Sequence, residues 1–429
     1  MQNTYFFMLL VFLISTGSWA KSEQALFNQV SPAIFQIKTS TDEASSKASY
    51  GSGFAIEKTG LLITNYHVIA TSLQEEEQKY NIYVLVDEKP IPAQIVAVDI
   101  IHDLALLKID YTFKRTLKLT KKIPLTGETI FSLGLPKDLK LSLIKGTFNG
   151  ILKHTRYERI LMSSPINAGM SGGPTLNTKS EVIGVNVSVL RQSQNISFCV
   201  PIKHVYDLID AYKKNTFNNL KDKIHLFLQA QLIEIQQTLI EDMQKNKGEN
   251  SKLDNWTFAP PSTSLKCWSK NEKEKNKTYE YKQQTCHLPA DAYISDTLSS
   301  GSYNLNFISI NNLKRTKIQF YNVLESSYNA TTYDFRDEFS FITNKEVISR
   351  YSCDNQIIVN QNNIPFKINF CMNTYIRYTG LYNIIVKGVS LLKGNEAFFF
   401  AFSMQGFSQT NIEKFIRHQL DHINFEGKR

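Results

Sequence analysis

Three glycines surround one serine in Asn167-Ala-Gly-Met-Ser-Gly-Gly-Pro174. A backbone so rich in glycine can bend until its N–H groups converge beside the Ser171 hydroxyl, the arrangement that acyl transfer needs around a developing oxyanion. A serine hydroxyl is a poor nucleophile until a base takes its proton, so a histidine and a group to orient it are required elsewhere in the chain. Thr64-Asn-Tyr-His-Val-Ile69 offers His67 at the end of a strand, and His102-Asp-Leu-Ala-Leu-Leu-Lys-Ile109 offers Asp103 at the opening of another. The chain order is therefore His67, Asp103, Ser171, at separations of 36 and 68 residues. Gly169-x-Ser171-x-Gly173 also fits the nucleophile elbow of α/β-hydrolases, but that fold carries its Asp and His after the serine, on a parallel sheet. Here both partners come first, which argues against an exported esterase of that class. His102 is a second candidate base, but on a strand it would point away from the side that Asp103 faces.

The elements that must position these residues are short strands. Ala33–Ile37, Gly53–Ile56, Leu61–Thr64, Ile82–Val86, Ile95–Val98, Leu104–Ile109, Thr129–Leu133 and Val182–Val185 are apolar runs punctuated by turns, with no helix wedged between neighbours. A sandwich or a pair of barrels follows. The stretch from Thr39 to Tyr50 is rich in Ser, Thr and Asp and reads as a mobile surface loop. Ile202, Val205, Leu208 and Ile209 then recur at helical spacing and close this unit near Lys214. A second stripe of Ile224, Phe227, Leu228, Leu232, Ile235, Leu239 and Met243 reads as a helix docked on its own domain, with a coiled-coil seam between copies as the alternative.

Polar residues from Lys245 to Pro261 mark a linker, and beyond it strand alternation returns in Tyr303–Ile310, Ile384–Leu392 and Ala397–Phe402, the last two joined by a turn at Lys393–Glu396. Thr410-x-x-Glu413 is a capping-box signature for a terminal helix carrying Ile412, Phe415, Ile416 and Leu420. The expected domains are residues 21–214, a helical connector over 215–254, and an antiparallel β-rich unit over 255–429. The fold class is mainly β.

A length of 429 residues accommodates two or three domains, and 42% hydrophobic residues exclude a disordered chain. The net charge of +9 is spread without a long basic block, so nucleic acid is not an expected partner. Tyr5–Ile14 is an apolar run followed by Ser18-Trp19-Ala20, which reads as a signal peptide over residues 1–20 and implies export, to a periplasm or outside the cell. The absence of Lys or Arg ahead of that run leaves a retained membrane anchor as the alternative. Beyond it no stretch is apolar enough to span a bilayer, so no stable membrane insertion is expected after its removal.

Export agrees with the cysteines. Cys199 stands alone, whereas Cys267 with Cys286 and Cys353 with Cys371 are locally spaced pairs; of the three pairings four cysteines admit, the local one is preferred. Metal-ligand spacing is absent, and His287, His418 and His422 read as surface residues. No metal and no cofactor are expected.

Several blocks together make residues 25–214 resemble the chymotrypsin-fold serine proteases of the HtrA/Deg type. Gly51-Ser-Gly-Phe-Ala-Ile56 resembles the strand before the family's histidine, Thr64-Asn-Tyr-His-Val its His motif, and Asp103-Leu-Ala-Leu-Leu-Lys its Asp motif. Gly146-Thr-Phe-Asn-Gly150 resembles the turn into the second barrel, and Val182–Asn186 with Ser197–Pro201 the substrate-binding strands. The resemblance implies two six-stranded barrels with a catalytic His67–Asp103–Ser171 triad in the cleft between them. It also implies an oxyanion hole from the N–H groups of Gly169 and Ser171, and a primary pocket among residues 163–171, 185–189 and 197–200.

Val187 and Phe198 are the candidate pocket residues, facing either pocket or core, and no acidic side chain lies in these segments to hold a substrate Lys or Arg. Met170 stands where many relatives carry Asn or Asp, so activation by pairing a freed N-terminus with that acid is not available. No PDZ domain is recognisable. The expected activity is that of a serine endopeptidase on protein or peptide substrates, with homo-oligomerisation among the expected associations. The alternative is a catalytically silent protease-fold scaffold.

Overall fold

The computed structural model describes residues 23–41, 48–74, 80–136, 139–152, 157–189, 195–246, 248–262, 264–272, 278–288, 292–295, 298–338, 348–392 and 394–427. The signal peptide read at residues 1–20 lies outside the described residues.

Helix α1 (Glu23–Val30) leads into β1 (Ile34–Ser40), β2 (Ala48–Glu57) and β3 (Leu61–Thr64). Two short helices, α2 (Tyr66–Ile69) and α3 (Thr71–Gln74), precede β4 (Asn81–Val86), β5 (Lys89–Asp99) and β6 (Leu104–Ile109). The six strands close in the order β1-β2-β3-β6-β5-β4. Closure leaves no unpaired sheet edge, and Ile37, Phe54, Ile63, Val84 and Leu106 are fully buried in the core it creates. The loop expected over Thr39–Tyr50 is shorter than its composition indicates. Thr39 and Ser40 pair with Ser49 and Ala48, and the Thr39 hydroxyl donates to the Val68 carbonyl at 3.0 Å, so barrel closure draws polar residues into the ladder. Its centre, residues 42–47, lies outside the described residues.

The second sheet contains β7 (Lys118–Leu119), β8 (Thr129–Gly134), β9 (Ser142–Leu152), β10 (Arg159–Met162), β11 (Pro174–Leu176), β12 (Glu181–Val189) and β13 (Ser197–Pro201). Its order is β11-β8-β9-β10-β13-β12-β7, and pairing of β11 with β12 closes all but β7 into a ring. Gly146–Gly150, read as a turn, lies inside β9. Gly146 is small there because a Cβ would fall 2.6 Å from the Ser163 carbonyl oxygen, and Gly150 adopts φ +107°, so close approach and backbone conformation explain glycines that mimic a turn.

Helix α4 (Ile202–Lys213) caps this unit with Ile202, Val205, Leu208 and Ile209 buried. Helix α5 (Leu220–Lys245) follows, and its stripe docks within the same chain: Leu228, Leu232, Ile235, Leu239 and Met243 are buried. Two of its glutamines show what it docks against. Gln231 donates to the Val98 carbonyl and accepts from the Ile100 N–H, both at 2.8 Å, while Gln236 donates to the Gly406 carbonyl at 2.6 Å and accepts from the Ser408 N–H at 2.9 Å. One helix thus bonds to backbone at the end of β5 and to backbone far along the chain.

The stretch read as a linker forms β14 (Ser251–Leu253) and β15 (Trp256–Phe258). Trp256 is fully buried between Phe398 and Phe425, with ring centroids at 4.9 and 4.8 Å. Aromatic burial outweighs the local polar composition, so these residues are structural.

Then come β16 (Lys266–Glu272), β17 (Tyr279–His287), β18 (Ala292–Ser295), β19 (Leu298–Ser300), β20 (Tyr303–Asn312), α6 (Lys317–Glu338), β21 (Ser352–Val359), β22 (Pro365–Thr374), β23 (Leu381–Ser390), β24 (Glu396–Ser408), α7 (Gln409–Asp421) and β25 (Asn424–Phe425). Seven of them form one antiparallel sheet in the order β16-β17-β20-β24-β23-β22-β21. Cys267 is bonded to Cys286 and Cys353 to Cys371, each pair directly opposed across the outermost two strands of one end of that sheet. Helix α6 was not expected. Its apolar positions Phe320, Leu324 and Tyr328 recur every fourth residue and pack with Val389 and Phe399 of the sheet. The cap of α7 is Ser408, whose hydroxyl accepts from the Asn411 N–H, rather than Thr410, which lies inside the helix.

Candidate active site

The first barrel carries two of the singled-out residues. The chain leaves β3 through Asn65 and turns into α2, so His67 sits on a single helical turn rather than at a strand end. Asp103 sits in the β5–β6 turn at φ +56°, a left-handed conformation that the short polar side chains of Asp and Asn tolerate. Its Oδ2 lies 2.7 Å from His67 Nδ1, and its Oδ1 accepts the His67 backbone N–H at 2.9 Å. The Asp103 carbonyl in turn accepts from Asn65 Nδ2 at 2.7 Å and from the Tyr66 N–H at 3.2 Å. Imidazole and carboxylate are therefore held by four bonds between the same two turns, and the His67 side chain keeps 30% of its surface exposed.

His102 is committed elsewhere. It too lies in the β5–β6 turn, not on a strand, so the turn rather than strand alternation separates it from Asp103. Its Nδ1 pairs with Asp99 Oδ2 at 2.6 Å, and its ring stacks on His204 at 3.5 Å. Burial, reinforced by His102 and Lys203, pushes the His204 pKa down to about 3, so this imidazole is neutral near pH 7.

The second barrel carries Ser171 in the loop between β10 and β11. Residues Asn167–Met170 form a turn closed by Met170 N–H to the Asn167 carbonyl at 3.0 Å, with Gly169 at φ +92°, as the third position of a type II turn requires. Gly172 has φ +85°, and a Cβ there would fall 2.1 Å from the Ser52 carbonyl oxygen. Met170 is fully buried beside Ile166 and Cys199 in the apolar core of this barrel. Cys199 is a free thiol, and burial pushes its pKa up to about 12.

Both barrels grip the loop. From the first, Ser52 N–H donates to the Ser171 carbonyl at 2.7 Å and Ser52 Oγ to the Gly169 carbonyl at 2.7 Å, while Thr64 Oγ1 donates to the Ser52 carbonyl at 2.7 Å. From the second, the Asn186 carbonyl accepts the Gly172 N–H at 2.9 Å, and the Asn186 N–H donates to the Gly173 carbonyl at 2.8 Å. Among the described residues the N–H groups of Gly169 and Ser171 have no protein acceptor. Sequence reasoning missed Ser52 and Asn186 as positioning residues. The signal for Ser52 is its place between Gly51 and Gly53, where larger side chains would strike Val68 and the Ile63 carbonyl.

Ser171 Oγ donates to the Val187 carbonyl at 2.9 Å. Val187 and Phe198, the candidate pocket residues, are half-buried on the adjacent strands β12 and β13, where Phe198 pairs with Ser188. The three histidines read as surface residues, His287, His418 and His422, are each half-buried. His287 stacks on Trp268 at 4.7 Å, and the His418 ring lies tilted against His422 at 4.3 Å with its pKa pushed down to about 4 by burial. No cluster of three potential ligands for a metal occurs among the described residues.

One barrel presents an Asp-oriented histidine and the other a serine on a glycine-built loop, and residues 51–185 across the two match the family model of the trypsin-like peptidase domain. Within that class the domain is similar to serine proteases of the HtrA type. A probable periplasmic serine endoprotease DegP-like of Pseudomonas putida is 33% identical over 175 residues, covering 39% of this chain and 35% of its own length. The mitochondrial serine protease HTRA2 of Drosophila grimshawi is 35% identical over 167 residues, covering 37% and 38%. Among solved structures, a serine endoprotease from Yersinia pestis is 25% identical with a TM-score of 0.39, over 44% of this chain and 66% of that one. The chain thus spans little more than a third of the length of these two curated relatives. Among the described residues no helix is long and apolar enough to cross a membrane.

Proposed function

We propose that the protein is an exported serine endopeptidase that cleaves protein or peptide substrates through Asp103, His67 and Ser171. The observation that carries this reading is the 2.7 Å pairing of His67 Nδ1 with an Asp103 carboxylate whose other oxygen is held by the His67 backbone. That carboxylate keeps the ring proton on Nδ1, which leaves Nε2 as the base. The Ser171 hydroxyl turns from the Val187 carbonyl to His67 and gives up its proton as Oγ attacks the scissile carbonyl. The uncommitted N–H groups of Gly169 and Ser171 receive the oxyanion. His67 then protonates the leaving amine, and water, deprotonated by the same base, releases the acyl group. Loss of one oxyanion donor in related chemistry costs about 3 kcal/mol.

The segments proposed to line the primary pocket hold apolar, hydroxyl and carboxamide side chains without a carboxylate, so cleavage should follow small or medium apolar residues such as Ala, Val or Leu. Profiling with a peptide library checks this; cleavage after Arg or Lys would contradict it. Labelling by a fluorophosphonate probe, abolished in Ser171→Ala, tests the enzyme itself. A purified, folded wild-type protein that takes no label would favour the silent scaffold, with the Ser171–Val187 bond as its resting and permanent state.

A further inference from the structure

A hairpin from the far end of the chain reaches the histidine of this site. Strands β18 and β19 pair antiparallel, burying Ala292, Ile294, Leu298 and Ser300 and leaving Tyr293 half-exposed. The hydroxyl of Tyr66, fully buried on the turn that carries His67, donates to the Ile294 carbonyl at 3.0 Å. The Tyr293 ring stands edge to face with two rings of that turn, 6.5 Å from Tyr66 and 6.1 Å from His67. On its other side the hairpin is fixed to the C-terminal sheet. Tyr375 Oη donates to the Ser299 carbonyl at 2.9 Å, Gly301 N–H donates to the Gln405 carbonyl at 2.7 Å, and a Cβ on Gly406 would fall 2.1 Å from Ser300 Oγ. Tyr293 is therefore held against His67 by bonds to both parts of the molecule.

We propose that Tyr293 is a specificity-determining residue of the protease cleft, contributed by the C-terminal unit, and that its ring forms the wall against which substrate residues flanking the scissile bond on the His67 side pack. The proposal rests on the reading of His67 and Ser171 as the reacting pair. His67 hands its proton to the leaving amine, and the half-exposed Tyr293 ring, 6.1 Å from the imidazole, is the aromatic surface assigned to the substrate on that side. A half-exposed aromatic ring at that place favours apolar and aromatic substrate side chains over charged ones, by about tenfold for one ring contact.

The test uses the full chain with Tyr293→Ala and Tyr293→Phe. Active sites are titrated with a fluorophosphonate, and kcat/KM is measured on peptides with Leu or Asp at the positions flanking the scissile residue. Selectivity is read as the Leu/Asp ratio, in which the amount of active enzyme cancels. The ratio should fall about tenfold in Tyr293→Ala and be retained in Tyr293→Phe. An unchanged ratio in Tyr293→Ala overturns the proposal, including when the titre drops, since that pattern marks a merely structural residue. A ratio that falls equally in Tyr293→Phe also overturns it, because the ring is then not what is read. If wild-type protein takes no fluorophosphonate, the endopeptidase reading fails by itself. The cleft is then judged by anisotropy of the same peptides, fluorescein-labelled: selective weakening of the Leu peptide in Tyr293→Ala supports the wall, and equal binding refutes it.

Discussion

Replacing Asp103 by Asn removes one charge and converts one acceptor to a donor while leaving the backbone undisturbed. Asn tolerates φ +56° as Asp does, and the Asp103 carbonyl bonds to Asn65 and Tyr66 do not depend on the side chain. The amide has only one way to lie. The His67 backbone N–H, 2.9 Å from Oδ1, can only donate, so the Asn oxygen must face it. The amide nitrogen then takes the place of Oδ2, 2.7 Å from His67 Nδ1, and two donors would meet unless Nδ1 gives up its proton. The ring proton moves to Nε2, the atom that should accept from Ser171. The expected loss is about 10⁴ in kcat, or about 5 kcal/mol of transition-state stabilisation at 1.36 kcal/mol per decade. The assay is steady-state cleavage of a peptide substrate, with circular dichroism and a thermal melt to verify the fold. Turnover within tenfold of wild type in a folded Asp103→Asn protein would refute the tautomer argument and the role assigned to Asp103.

Gly172→Ala should lower kcat/KM by at least about 100-fold, because φ +85° and a Cβ contact of 2.1 Å with the Ser52 carbonyl force the nucleophile loop off the first barrel; wild-type rates would show the loop to be tolerant. His204 has its pKa lowered to about 3, so between that value and the ordinary 6.5 the unfolded chain binds the extra proton. Its contribution to stability is present above pH 6.5 and is lost as the pH falls toward 3, so the urea midpoint should drop between pH 7 and pH 5, and less steeply in His204→Gln. Each disulfide closes a loop of 18 or 19 residues, so the Cys353→Ala/Cys371→Ala pair should lose about 3 kcal/mol of stability to denaturant, measured against oxidised wild-type protein.

Residues near one another in the chain left legible marks. The glycines around Ser171 follow from contacts so close that no side chain fits, and such a requirement excludes every other residue type. The apolar runs of both barrels and the stripe of α5 follow from burial, which repeats with the period of the element. Reading failed where composition and tertiary demand disagree. Lys245–Pro261 is polar overall, yet Trp256 is buried between Phe398 and Phe425. Thr39 and Ser40 have loop composition, yet they complete a barrel strand. Among the described side chains of helix α6 the stripe of Phe320, Leu324 and Tyr328 packs on the sheet, and the polar residues between them obscure it in the sequence.

By itself the sequence determined the order His67, Asp103, Ser171 and a mainly β chain, a sandwich or a pair of barrels in its first half, because residue type, spacing and periodicity are local properties of a chain; the choice of two barrels came from the resemblance to the HtrA-type proteases. The tertiary structure alone decided which groups meet. Ser52 and Ser171 are 119 positions apart, Tyr66 and Ile294 are 228 apart, and nothing in either neighbourhood encodes its partner. Such pairings are set by barrel closure and by the docking of α5 on both parts of the chain, which minimise buried unsatisfied backbone and exposed apolar surface over the whole molecule at once.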